Sequence, residues 1–142
     1  MVKQDSIHAW QCSHMGGHRF APTSLFFPHG LCYGRIEPGQ VAAMMDAYRS
    51  GQLVPEYLRG RVCYAAAAQA ADVLLRMQLG MTAIDGLTLG ESTRVGTNQW
   101  DMKFVADGGK YNVRLEKIRT DVEIYTSCFS DKRAWVEQYR LA

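Results

Sequence analysis

The stretch from Gln99 to Ile118 constrains the fold more than any other part of the chain. Trp100, Met102 and Phe104 alternate with Asp101, Lys103 and Val105, and Tyr111, Val113 and Leu115 alternate with Asn112, Arg114 and Glu116. Between the runs lies Asp107-Gly108-Gly109. Side chains repeating every second residue share one face of a strand, and two such runs around a glycine-rich turn make an antiparallel hairpin. Asp121–Cys128, with Val122, Ile124 and Tyr125, reads as a third strand, and Ala134–Leu141 as a fourth strand or a short terminal helix. Residues 81–99, with Gly86, Gly90 and Gly96, read as loops and short strands.

The preceding half has a different texture. Residues 7–12 alternate enough to predict a strand, and the double glycine in Cys12–Phe20 predicts a loop. Leu25-Phe26-Phe27 and Leu31–Ile36 flank Pro28-His29-Gly30, the pattern of a hairpin. A helix starts near Glu37, with Pro38 in a first-turn position that needs no backbone donor. Val41, Met44, Met45 and Tyr48 form its apolar face, and Gly51 stops it. Pro55–Arg59 reads as one helical turn. A second helix is predicted from Ala65 to about Leu79, with Ala67, Ala71, Leu74, Leu75 and Leu79 as apolar positions and Gly80 as its end. Hairpin, two helices and an antiparallel β segment together give an α+β fold.

Composition excludes several function classes. A chain of 142 residues is one domain's worth, and 47% hydrophobic residues argue against disorder. Sixteen Lys and Arg against 14 Asp and Glu leave a net charge of +2, too small and too evenly spread to announce a nucleic-acid or membrane partner. No run approaches the ~18 apolar residues of a membrane-spanning helix. The first residues, Met-Val-Lys-Gln-Asp-Ser, contain no signal-peptide core. Cys12, Cys32, Cys63 and Cys128 are scattered and form no Cys-x-x-Cys pair, so free thiols and a reducing, cytoplasmic location are expected.

All four histidines, His8, His14, His18 and His29, lie in the first 29 residues, so imidazole chemistry is confined there. The sharpest group is His14-Met15-Gly16-Gly17-His18. Two imidazoles four residues apart would share a helix face, as in His-Glu-x-x-His zinc sites, but two glycines disfavour a helix. On a loop, Gly16 and Gly17 let the backbone approach a bulky ligand, and both imidazoles can address one metal. The alternative is a glycine turn with two solvated histidines. Cys12, His14, His18 and Cys32 together have the ligand types of a zinc site, at a spacing that fits no common zinc module. Cys12-Ser13-His14 looks like half of a Rieske pair, but Cys32 is followed by Tyr33-Gly34-Arg35 rather than a histidine. No Gly-x-Ser-x-Gly elbow, P-loop or paired-carboxylate motif is present, and Arg59, Arg61, Arg114, Arg119, Arg133 and Arg140 read as surface residues.

The string from Trp10 through Cys12-Ser13-His14-Met15-Gly16-Gly17-His18-Arg19-Phe20-Ala21-Pro22, followed by Pro28–Arg35, Gly51-Gln52-Leu53 and Tyr57-Leu58-Arg59-Gly60-Arg61, resembles the sucrase/ferredoxin-like proteins. These are thioredoxin-like [2Fe–2S] ferredoxins. The resemblance implies that His14 and His18 ligate one iron of a cluster while two upstream cysteines ligate the other. It also implies that Trp10, Phe20 and Tyr33 shield the cluster and that Cys12 is not a ligand. Imidazole ligands, neutral where thiolates are charged, raise a cluster's potential. Family members carry a preceding segment with the first strand, the first helix and the cysteine loop, which this chain lacks. It therefore corresponds to their C-terminal part: residues 1–80 as the C-terminal half of a thioredoxin-like ferredoxin domain, and residues 81–142 as an antiparallel β extension packed on it. The missing thiolates then come from a longer protein, from a partner chain or from Cys12 or Cys32, or else the cluster is lost. The implied function is a non-enzymatic electron carrier with a redox partner or companion subunit, as an oligomer or hetero-complex. The alternatives are a cluster-free accessory subunit docking through an exposed sheet edge, and a zinc-binding variant.

Overall fold

The computed structural model describes residues 8–106, 108–127 and 130–142. Two antiparallel sheets and two α-helices make up the α+β fold. In the first sheet β1 (Thr23–Phe26), β2 (Leu31–Gly34) and β3 (Leu58–Arg61) lie in that order. The β1–β2 hairpin turns at residues 27–30 with Phe26 opposite Leu31, as the Pro/Gly signal requires. Helix α1 (Val41–Arg49) follows a 3-10 turn at Pro38–Gln40, in which the Gln40 side chain caps the Glu37 backbone N–H. Met44 carries its buried face, while Val41 stays exposed. Pro55–Tyr57 is a single 3-10 turn, and β3 follows it directly.

Helix α2 (Ala66–Leu79) ends at Gly80 in the left-handed conformation, φ 65°. Its alanine-rich face, Ala67, Ala68 and Ala71 with Leu75, lies on the second sheet. That sheet runs β4 (Leu87–Arg94), β5 (Gln99–Ala106), β6 (Gly109–Ser127) and β7 (Ser130–Leu141). Leu87, Met102, Phe104, Ala106 and Leu115 meet the helix, so the alternation in β5 and β6 places the residues it should on the covered face. The other core holds Leu31, Tyr33, Ile36, Met44, Leu53, Leu58 and Ile84, with the Tyr33 ring edge-on to Phe26 at 5.0 Å.

Between the two cores sits Arg76, fully buried on α2. Its Nε donates to Asp72 Oδ1 at 3.0 Å, Nη1 to the Ala83 carbonyl at 2.7 Å, and Nη2 to the Ile84 and Leu87 carbonyls at 3.0 and 3.2 Å. Ile84 belongs to the first core and Leu87 to the second. Arg76 therefore fastens the segment that joins them, and satisfies carbonyls that would be costly to bury unpaired.

Two expected elements differ from the structure. Of the strand expected at 7–12, Ile7 lies outside the described residues, and residues 8–12 form no strand: no described strand pairs with them, and Trp10 is 92% exposed. Alternation describes a strand only where a ladder exists to receive it. The expected third strand, of which Cys128 lies outside the described residues, is the far half of β6, which runs unbroken for 19 residues. β5 pairs with only the Gly109–Glu116 part of β6, so beyond the Lys117 N–H bond to the Asn98 carbonyl β6 is accompanied among the described residues by β7 alone. The ladder shifts register between Arg119 and Glu123, and such bulges blunt an open edge.

Candidate functional site

The loop that carries His14 and His18 is shaped by its glycines. Gly16 and Gly17 both take positive φ, 75° and 68°, which rules out a helix through the two histidines. The chain then tightens into a 3-10 turn, His18–Phe20, closed by the Phe20 N–H on the Gly17 carbonyl at 2.8 Å. His14 is exposed. The His18 side chain lies outside the described part of the structure.

Phe20 anchors the loop to the first sheet. Its carbonyl accepts the Arg35 N–H at 2.8 Å, and that N–H is shared with the Pro22 carbonyl at 2.9 Å. Arg35 holds φ 60°, a conformation a non-glycine residue keeps only when its surroundings impose it. Gly34 makes the approach possible: a Cβ there would lie 2.8 Å from the Phe20 carbonyl oxygen and 2.9 Å from its Cβ. Arg59 of β3 completes the contact. Its guanidinium carbon is 4.2 Å from the Phe20 ring centroid, and a Cβ on Gly17 would lie 2.8 Å from its Nη2. Arg19 and Arg35 approach the same ring at 4.7 and 5.5 Å. Three segments far apart in sequence thus converge: Gly16–Phe20, Gly34-Arg35 and Arg59.

Among the described cysteines, Cys32 touches this contact. It is half-buried, with Arg59 Nη1 3.8 Å from its Sγ. Cys12 and Cys63 are exposed free thiols, and Cys12, outside any strand, does not share a strand face with His14. Of the aromatic residues expected around a cluster, Phe20 lies against the loop, Trp10 is exposed, and Tyr33 is buried in the first core. Burial raises the Tyr33 hydroxyl's pKa. His29 has a structural partner, its Nδ1 lying 2.8 Å from the Tyr48 hydroxyl.

A [2Fe–2S] cluster needs four protein donors. Among the described residues no three His, Cys, Asp or Glu side chains form a group able to hold a metal ion. The described residues therefore do not by themselves make up a complete cluster site.

Sequence patterns concealed two features. Arg59, expected as a surface residue, is half-buried and packed against Phe20; the signal was the buried Leu58 and Gly60 on either side of it, which fix its face. Asp72 and Arg76 lie four apart on the apolar face of α2, the spacing of a helical ion pair.

Beside β1 an apolar hollow of about 360 Å³ is lined by residues including Ser24, Phe26, Ile36, Val41 and Met44. The Ser24 hydroxyl is buried without a hydrogen-bond partner. No helix among the described residues is long and apolar enough to cross a membrane.

Residues 1–60 match the family model of the sucrase/ferredoxin-like proteins. No curated protein and no solved structure matches the chain. The matched span contains the histidine loop, Phe20, Gly34, Arg35 and Arg59, and ends before α2 and the second sheet.

Proposed function

We propose, on the premise that residues 1–60 carry the sucrase/ferredoxin-like pattern, that the protein is a subunit or segment of an electron carrier in which His14 and His18 supply the imidazole half of a [2Fe–2S] ligand set. The observation that carries this reading is the loop itself. Two histidines flank two left-handed glycines, and that loop is fixed to the sheet through Phe20 and Arg59 inside the matched span. The thiolate half comes from a longer chain, from a companion subunit or from Cys12 or Cys32, which form no group of three metal-ligating side chains among the described residues. When bound, such a centre passes single electrons, and imidazole ligation lets proton uptake accompany reduction. This chain's part is to hold the loop: Gly17 admits the Arg59 guanidinium, and Arg59 lies on the Phe20 ring.

Iron, acid-labile sulfide and the visible spectrum of the protein, isolated with whatever accompanies it, test this. His14→Ala and His18→Ala are expected to abolish or shift the cluster absorption. An unchanged spectrum and iron content in both variants overturns the reading. Zinc in place of iron and sulfide favours a zinc site built on Cys12, His14 and His18.

A second reading has its own observation. Among the described residues β1 pairs with β2 alone, and its other edge lies next to the apolar hollow and a Ser24 hydroxyl with no described partner. A metal-free accessory subunit would use that edge to accept a partner strand. A colourless, metal-free protein that co-purifies with a larger redox enzyme favours it.

A further inference from the structure

We propose that Arg19, Arg35 and Arg59, gathered around the Phe20 ring beside the diglycine loop, form a docking site for the carboxylates of a partner protein's acidic surface. The inference stands whether or not the loop holds a metal.

Three guanidinium carbons lie within 5.5 Å of one ring centroid. Like charges so placed repel, and an aromatic face offsets only part of that repulsion. Among the described residues no carboxylate forms an ion pair with any of the three, whereas the second sheet pairs Lys103 with Glu91, Arg114 with Asp101, Lys117 with Glu137 and Arg140 with Glu116. Arg119 and Arg133 of the second sheet lie singly on Trp135 and Tyr125, one cation to a ring. Around Phe20 the chain instead gathers its cations by unusual means: Arg35 at positive φ, Gly34 where a Cβ would strike Phe20, and Gly17 where a Cβ would strike Arg59. The excess charge follows the same division, since residues 1–64 hold six Lys and Arg against four Asp and Glu, and residues 65–142 hold ten of each.

The guanidinium is a planar fork that grips carboxylates in pairs of hydrogen bonds, and stacking on an aromatic face leaves its N–H edge available. A protein partner suits this surface better than a small enclosed anion. Arg19 and Arg35 are exposed, and the segment leading into the loop presents Trp10 at 92% and Met15 at 38% exposure. Arginine, tryptophan and methionine are the residue types enriched where proteins meet.

The test is a 1H–15N NMR titration of the full chain with a hexaglutamate peptide, at low and at moderate salt. Shifts concentrated at residues 16–20, 34–35 and 58–60, weakening as salt is added, are expected. Arg19→Gln/Arg35→Gln should weaken binding about tenfold, the loss expected for one or two charge-assisted contacts. It leaves Arg59 on the ring, and the amide spectrum of the second sheet reports an intact fold. Lys110→Gln/Arg133→Gln removes the same charge from the second sheet and should leave binding unchanged, and a hexaglutamine peptide should not bind. Shifts spread over every cationic surface, or equal weakening by the two double variants, overturn the proposal. So does tighter binding of inorganic phosphate or of a hexathymidine oligonucleotide at the same amides, the first indicating a small-anion site and the second a nucleic-acid surface.

Discussion

The two sheets handle charge differently, although Arg119 and Arg133 of the second sheet also lie on aromatic rings, those of Trp135 and Tyr125. In the second sheet, cations on one strand face carboxylates on the next: Arg114 meets Asp101 through two bonds of 2.7 and 2.8 Å, and Lys103 and Arg140 meet Glu91 and Glu116. In the first segment, Arg19, Arg35 and Arg59 crowd one phenylalanine, and no carboxylate pairs with them among the described residues. Exposed cross-strand pairs add little to stability, but they set register and leave a surface electrostatically quiet. The first segment is held by close backbone contacts and cation–aromatic packing, which leaves donor groups to spare. That contrast is the ground for placing the proposed docking site around Phe20.

Arg76 is where the two regions should prove inseparable, and it carries the largest expected effect. Arg76→Met keeps the length of the side chain but leaves Asp72 buried without its partner and the Ala83, Ile84 and Leu87 carbonyls without their donor. Breaking a buried ion pair from one side costs about 3–5 kcal/mol. Urea unfolding followed by tryptophan fluorescence and by far-ultraviolet circular dichroism should show one transition, shifted to much lower denaturant. Two separate transitions in the parent protein would show instead that the regions fold independently. Asp72→Leu/Arg76→Met should recover part of the loss, because removing both charges relieves the desolvation of each.

Gly34→Ala should act on the first region alone. The added methyl would lie 2.8 Å from the Phe20 carbonyl oxygen and 3.0 Å from Arg59 Cδ, so the Phe20 turn has to move. Overpacking of this kind costs about 1–3 kcal/mol. NMR shifts should cluster at residues 16–20, 35 and 59, with the amides of β5 and β6 unmoved. Perturbation reaching Met102 or Phe104 would break the separation of the two regions. A silent substitution would show that Phe20 is not seated against β2.

How much of this was legible in sequence follows the same division. Period-two alternation gave β5 and the first half of β6 with the right residues inward, because Met102, Phe104 and Leu115 answer to a single covering helix. The stops at Gly51 and Gly80 were equally plain, both residues taking left-handed φ. The alternation at residues 7–12 misled, since a pattern does not reveal whether a partner strand exists. The length of β6 was hidden because, past Lys117, only β7 accompanies it and a bulge interrupts the alternation. Of the site, the diglycine loop was visible as a loop. The seat beneath it was not, because Arg59 reaches Gly17 and Phe20 across about forty residues of chain, and only the folded sheet brings them together.

The smallest expected effect concerns acid, and it separates the two kinds of carboxylate in the molecule. Hydrogen bonds from Arg114, Arg140 and Lys103 hold Asp101, Glu116 and Glu91 below the usual carboxylate range. A folded-state pKa below the unfolded value means that the unfolded chain binds protons first on acidification. These groups therefore contribute stability above the unfolded-chain range near pH ~4, and lose it as pH falls through their folded values. Asp72 has the opposite sign: burial raises it despite the Arg76 bond, so whatever its neutral form contributes is lost as pH rises through its folded value. Asp101→Asn/Glu116→Gln should flatten the fall in urea midpoint between pH 6 and pH 3, with the difference shrinking in added salt because the pairs are exposed. Parallel curves for parent and variant would show that the cross-strand pairs fix register without contributing to acid sensitivity, and that the charge balance of the second sheet matters for its surface alone.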